Sequence, residues 1–162
     1  MRRLSAYRAS ARCSAPPRVV WTLLLSADSW PAWGTVDALD ETRSENLNPV
    51  GLDTVGAVRA FRTGWITTAE RIVALEPERR MDYEDAWNAT LSHYQASIEL
   101  TPLRGGGTDI SWRGTYLPRF GCRTLLALVL PRVMQKMVSG LAEYADQSHQ
   151  NNSDQQHPDW TT

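Results

Sequence analysis

Two rhythms of apolar and polar positions divide the chain. Residues 4–13 place Tyr7, Ala9 and Ala11 on one side and Arg8, Ser10 and Arg12 on the other, which predicts a half-buried strand. Ser14-Ala15-Pro16-Pro17 ends it and opens a helix, because a proline in the first turn forfeits no hydrogen bond. Val19, Val20, Leu23 and Leu24 recur at helical spacing and give that helix one apolar face. Asp28-Ser29-Trp30-Pro31 starts a second, short helix with Asp28 or Ser29 as its cap. From Thr35 the period falls to two. Strands are predicted over residues 36–43, 56–63, 65–75, 79–87, 91–103 and 108–116. A polar loop over 44–55 separates the first two, and turns fall at Gly64, Asn88-Ala89-Thr90 and Arg104-Gly105-Gly106-Gly107. Met81, Tyr83 and Trp87 share one face of their strand. So do Tyr94, Ala96, Ile98 and Leu100 of the next, and Ile110, Trp112 and Tyr116 of the last.

The chain returns to helical spacing near Gly121. Met134, Met137, Val138, Leu141 and Ala145 form a stripe, with Arg132, Gln135, Lys136 and Glu143 opposite. Pro131 should kink this helix or split off a short lead-in, because its ring clashes with the preceding turn. Residues 147–162 are rich in Gln, Asn, Asp and His without an apolar pattern. They read as a disordered polar tail behind a domain of residues 1–146. The expected architecture is α+β. A curved antiparallel sheet of seven strands, one face wet and one covered, wraps the long C-terminal helix, with two short helices between strands one and two.

Composition narrows the partners. A net charge of −1 argues against nucleic acid, whose binders carry a basic excess. Cys13 and Cys122 are too few for a disulfide scaffold, and His93, His149 and His157 lack metal-ligand spacing, so neither cofactor nor metal is expected. Arg2, Arg3 and Cys13 imitate a lipoprotein signal. The imitation fails because Tyr7, Arg8 and Arg12 interrupt the apolar stretch it requires. The longest apolar runs, residues 19–25 and 124–130, fall short of the ~20 residues of a membrane span. The expectation is a soluble, cytoplasmic protein without an integral membrane segment. The seven tryptophans either fill a core or line a wide apolar cavity.

Four local patterns carry a family resemblance: Ala15-Pro16-Pro17-Arg18-Val19-Val20-Trp21 after the first strand, Asp28-Ser29-Trp30-Pro31-Ala32-Trp33, Gly51-Leu52-Asp53-Thr54-Val55-Gly56 leading to Glu70-Arg71-Ile72 and Glu76-Pro77, and Gly105-Gly106-Gly107-Thr108-Asp109-Ile110-Ser111-Trp112. In this order the chain resembles the START-like (Bet v1-like, SRPBCC, helix-grip) superfamily, in particular its polyketide cyclase/dehydrase-like branch. The resemblance implies the helix-grip fold and a ligand region between the inward sheet face and the apolar face of the last helix. It implies no single activity, since members include aromatase/cyclases, lipid and sterol carriers, and hormone- or allergen-like binders.

Within that region Trp65, Tyr83, Trp87, Tyr94, Trp112, Met134, Met137 and Leu141 are the candidate ligand-binding residues. The tyrosines add a hydroxyl to an apolar body, and the methionines adapt to irregular shapes. The tryptophans equally suit a filled core. Glu70 and Tyr83 are the catalytic candidates. If Ile66, Thr68 and Ile72 face inward, Glu70 does too, and burial raises its pKa toward that of a general acid. In the opposite phase Trp65, Ala69, Val73 and Leu75 are covered and Glu70 is a solvated charge. His93 should point outward, Arg59, Arg62 and Arg113 read as solvated surface, and Trp30 and Trp33 are candidates for an exposed interaction patch. The leading expectation is a binder or carrier of a small hydrophobic or aromatic molecule in a cavity beneath the last helix. The alternative is a cyclase/dehydratase acting on a poly-keto or aromatic substrate.

Overall fold

The computed structural model describes residues 4–119, 121 and 123–156. Strand β1 (Ser5–Cys13) leads into helix α1 (Pro17–Leu25), a 3-10 turn at Ala27–Ser29 and a single-turn helix α2 (Trp30–Trp33). Strands β2 (Ala38–Leu39), β3 (Val58–Thr63), β4 (Ile66–Glu76), β5 (Arg80–Trp87), β6 (Leu91–Pro102) and β7 (Thr108–Pro118) follow, and helix α3 (Arg123–Gln156) closes the chain. The seven strands form one sheet in the order β1-β7-β6-β5-β4-β3-β2, every pairing antiparallel. This is the expected α+β helix-grip arrangement, with the first strand paired to the last.

α3 lies along β1 and runs parallel to it. Gln135 exchanges hydrogen bonds with the backbone of Ser10 (2.9 and 3.4 Å), and Asp146 accepts from the backbone N–H of Ser14 (2.7 Å) and Ala15 (3.1 Å). Met134, Met137, Val138, Leu141 and Ala145 are buried as the stripe predicts, against Trp30, Trp33, Ile98, Ile110 and Trp112 in the same core. Gly140 allows the closest approach: a Cβ there would stand 2.0 Å from the carbonyl oxygen of Trp33.

Several expectations are corrected. The strand predicted over 36–43 shrinks to Ala38–Leu39 followed by a 3-10 turn at Glu41–Arg43. The helix does not divide at Pro131, which sits inside continuous α3, and residues 147–156 extend α3 instead of forming a tail. Residues 157–162, with His157 and Trp160, and Cys122 lie outside the described residues. Trp30 and Trp33 form no exposed patch, since both are buried. Among the described residues, Arg123–Ser153 is long and apolar enough to cross a membrane by length and composition, although its centre packs into the core.

Register irregularities explain where side chains point. One falls between Ile72 and Ala74, so that Ile72 pairs with Tyr83 but Leu75 pairs with Met81. The extra residue, Val73, reverses the phase of β4. Ile72 and Leu75 therefore both meet the core, which is why neither simple phase of the sequence prevailed. A second irregularity between Ala69 and Glu70 sets Ala69 against Trp87. Ala69 belongs to a small cluster with Val58 and Ala60 on the outer face, so Trp87 turns outward, beneath the guanidinium of Arg43.

Candidate active site or ligand site

Phe61 packs in the main core, and Arg59, two residues before it on β3, shares that inward face. Arg59 is completely buried, which corrects its assignment to the surface; Arg62 and Arg113 remain outside. Its Nη1 donates to the carbonyl oxygen of Leu24 at 2.6 Å, and its Nη2 pairs with Glu70, directly opposite on β4. Leu24 lies in the last turn of α1, where helix carbonyls lack internal partners and a cation is favoured. Trp30 Nε1 donates to the same oxygen at 3.1 Å, and the guanidinium stands 4.5 Å from the centre of the Trp30 ring. Arg59 thus fastens α1, α2 and the sheet together.

Glu70 faces inward with 15% of its side chain exposed. Burial pushes its carboxyl above the ordinary value of 4.5, against the pull of Arg59. Beside it lies a chain of hydroxyls. Trp112 Nε1 donates to Tyr83 Oη at 3.0 Å, Tyr83 Oη lies 3.1 Å from Tyr94 Oη, and Tyr94 Oη is hydrogen-bonded to Tyr7 Oη. Burial pushes all three phenols up, Tyr94 to about 12, so they stay protonated. The geometry has a simple proton count. Three contacts join one N–H and three O–H donors, and the indole N–H fills the first. Two hydroxyl protons fill the others, and one remains for which these contacts supply no acceptor.

Tyr7 completes this chain because Gly114 lies under its ring. A Cβ at Gly114 would stand 2.6 Å from the ring of Tyr7. The sequence shows Tyr7 on the apolar side of β1 but gives no sign that it meets Tyr94, 87 positions away.

The predicted site residues separate into two groups. Tyr83, Tyr94, Trp112, Met134, Met137 and Leu141 come together in and around the core. Trp65 does not: it sits in the β3–β4 turn, 98% exposed. Trp87 is turned to the outer face. His93 pairs with Leu117, away from the inward Tyr94, as expected. Glu70 and Tyr83 share the interior with Tyr7 and Arg59, both absent from the predicted set.

Among the described residues, open space is found at two surface places. Two hollows, of about 680 and 660 Å³, open on the surface. The first lies between the end of α1 and residues 47–53. The second is lined mainly by outward residues such as Arg8, Asp82, Gln95 and Arg113. Neither lies under α3, where Trp112 meets Trp30 and Tyr83 edge to face and Trp30 stacks on Phe61. Some inward positions nevertheless become more exposed toward one end of the sheet, while Leu91, Tyr116 and Pro118 at that end stay buried. On β4, Ile72 is fully buried, Glu70 and Thr68 are partly exposed and Ile66 is exposed; on β6, Ile98 and Ala96 are buried and Tyr94 is partly exposed. Leu126, Leu130 and Val133 of α3 are also only partly buried. The grip is packed at its middle and looser locally, around Thr68, Glu70 and Tyr94.

A seven-stranded antiparallel sheet gripping a long C-terminal helix is the START-like architecture. Residues 6–146 match the family described as polyketide cyclase / dehydrase and lipid transport, and the chain belongs to that family. Among solved structures, it is similar to the Zhui aromatase/cyclase from Streptomyces sp. R1128 (14% identity, TM-score 0.74, covering 90% of this chain and 95% of that one). It is similar to the di-domain ARO/CYC StfQ from the steffimycin biosynthetic pathway (18%, TM-score 0.71), where it covers 90% of itself and 52% of that chain, about half the length of the di-domain protein. It also resembles the protein XoxI from Bacillus cereus (17%, TM-score 0.67, covering 95% and 99%). No curated protein matches the chain.

Proposed function

We propose that the protein binds a small, largely apolar molecule bearing a carbonyl or hydroxyl oxygen, held at the looser part of the grip by Glu70, Tyr94 and the first turns of α3. The observation that carries this reading is the extra hydroxyl proton of the Tyr7–Tyr94–Tyr83 chain, placed inside an apolar shell beside partly exposed inward positions. A hydroxyl proton in this partly exposed apolar setting gains from a partner oxygen, and an oxygen on a ligand would supply one. Room comes from α3. Pro131 deprives the carbonyl of Ala127 of its helical partner, so residues 123–130 can lift while Met134–Ala145 stay packed. The protein acts in this reading in the cytoplasm, without a cofactor.

Native mass spectrometry of freshly purified protein should retain a small molecule, and an apolar fluorescent probe should bind and compete with it. Tyr94→Phe should weaken probe binding about 2–10-fold, the worth of one hydrogen bond, without unfolding the protein. A preparation that carries nothing and takes up no probe contradicts the proposal.

A second reading, a cyclase or dehydratase acting on a poly-keto or aromatic substrate, is favoured by Glu70. A carboxylate with a raised pKa can take a proton from the carbon between two carbonyls, while a neighbouring phenol donates to the oxygen that becomes an enol. The test is turnover of a poly-β-keto substrate by Glu70→Gln and Tyr83→Phe, with binding measured in parallel. Turnover undiminished in both variants rules this chemistry out.

The same carboxyl predicts a pH effect on stability. A raised folded pKa contributes stability that is full below the ordinary value of 4.5 and is lost as pH rises through the raised value. The thermal midpoint of the wild type should therefore fall relative to that of Glu70→Gln as pH rises from about 4 to about 7. Parallel curves for the two proteins would contradict the assignment.

A further inference from the structure

The first turns of α3 carry an apolar face that the fold leaves uncovered. Leu125, Leu128 and Val129 are 64%, 57% and 41% exposed. They sit on the outward stripe of the helix, which continues at helical spacing into exposed Arg132 and Lys136. Local charge is one-sided. Between Asp109 and Glu143 the chain holds no acidic residue and five basic ones, although its net charge is −1. Arg123, Arg132 and Lys136 form no ion pair among the described residues.

Topology adds a second apolar element at the same end. α3 runs parallel to β1, meeting Ser10 at Gln135 and Ser14 at Asp146, so its start lies about level with the Ser5 end of β1. Ser5 pairs with Tyr116, Leu91 pairs with Pro118, Trp87 pairs with Ala69, and Thr63 pairs with Ile66. The β3–β4 turn, with Trp65 at its tip, therefore lies at the end of the sheet from which α3 starts. Trp65 is 98% exposed and Ile66 42%. Two acids stand at this end: Asp37, which accepts from the backbone N–H of Gly64 at 2.6 Å, and Asp85, which lies near Arg119 and His93.

We propose that this end docks on an anionic lipid surface, with the start of α3 lying in the interface and Trp65 reaching the same surface from the β3–β4 turn. An apolar helix face flanked by arginine and lysine, with an aromatic at the same level, fits the boundary between headgroups and acyl chains. The charge decides against a second copy of the chain, because apposing two such faces brings Arg123, Arg132 and Lys136 against their own counterparts. It decides against nucleic acid as well, which would leave the leucines uncovered. The inference concerns the outward stripe of these turns, whereas the ligand reading concerns Leu126, Leu130 and Val133 on their core side.

Flotation of the full chain with vesicles tests it. Vesicles of phosphatidylcholine with about a third phosphatidylglycerol should capture the protein, vesicles of phosphatidylcholine alone should capture much less, and added salt should release it. Leu125→Ser with Leu128→Ser should reduce capture at least about tenfold. Arg123→Glu with Arg132→Glu should reduce it comparably and abolish the salt effect. All four side chains are exposed, so thermal midpoints should hold; if the serine pair lowers its midpoint, the charge-reversed pair decides alone. Absence of capture by anionic vesicles, or capture unchanged by the charge reversal, overturns the proposal. So does a dimer in gel filtration that the serine pair dissociates while vesicles are ignored.

Discussion

Arg59→Met should destabilise the protein by about 3–5 kcal/mol, the usual cost of leaving one half of a buried ion pair behind. Three losses coincide. Glu70 keeps a charge without its cation, the carbonyl of Leu24 loses its 2.6 Å donor, and the Trp30 ring loses the guanidinium above it. At this chain length, about 2–4 °C of thermal midpoint per kcal/mol makes the fall on the order of 10 °C. Removing both partners should behave differently. Arg59→Met with Glu70→Leu deletes the charges together and should recover much of the loss, because a buried pair replaced by packed apolar groups is often neutral or better. That double variant also separates architecture from function. If it folds and binds its ligand as the wild type does, Glu70 contributes only to the fold.

Gly140→Ala should be the most damaging single-methyl change in α3. Helix propensity alone predicts a gain of about 1 kcal/mol, since glycine is a poor helix former. Packing predicts the reverse, because the new methyl would sit 2.0 Å from the Trp33 carbonyl oxygen, and a backbone atom cannot rotate aside. The helix must shift, disturbing Met137 against Gly34 and the hydrogen bond from Thr35 N–H to Met137 Sδ. The expected net loss is about 3 kcal/mol, the upper range for overpacking. Denaturant unfolding measures it, and an unchanged or raised midpoint would mean that α2 and α3 are not held as described.

The strands were legible where one face meets water. β6 and β7 keep their predicted parity, with Tyr94, Ala96, Ile98 and Leu100, and Ile110, Trp112 and Tyr116, turned inward. β3 was not legible. Val58 and Ala60 are buried on the outer face, where Glu45 bridges to Val58 and Ser44 Oγ accepts from the Ala60 N–H, while Arg59 and Phe61 are buried within. A strand covered on both faces shows no alternation, so nothing marked Arg59 as interior. Trp87 was misplaced for another reason: an irregularity that reverses side-chain direction leaves no compositional trace. The tyrosine chain needs three strands to converge, which spacing along the sequence cannot express.

The bends in β4 and β5 have one more consequence. An additional residue on one strand changes twist through the main chain, whatever side chains stand nearby. Curvature made in that way can outlast the replacement of nearly everything packed against it. Solved structures similar to this chain keep the fold at TM-scores of 0.67 to 0.74 with 14–18% identity. A scaffold of this kind can exchange its contents while keeping its outline.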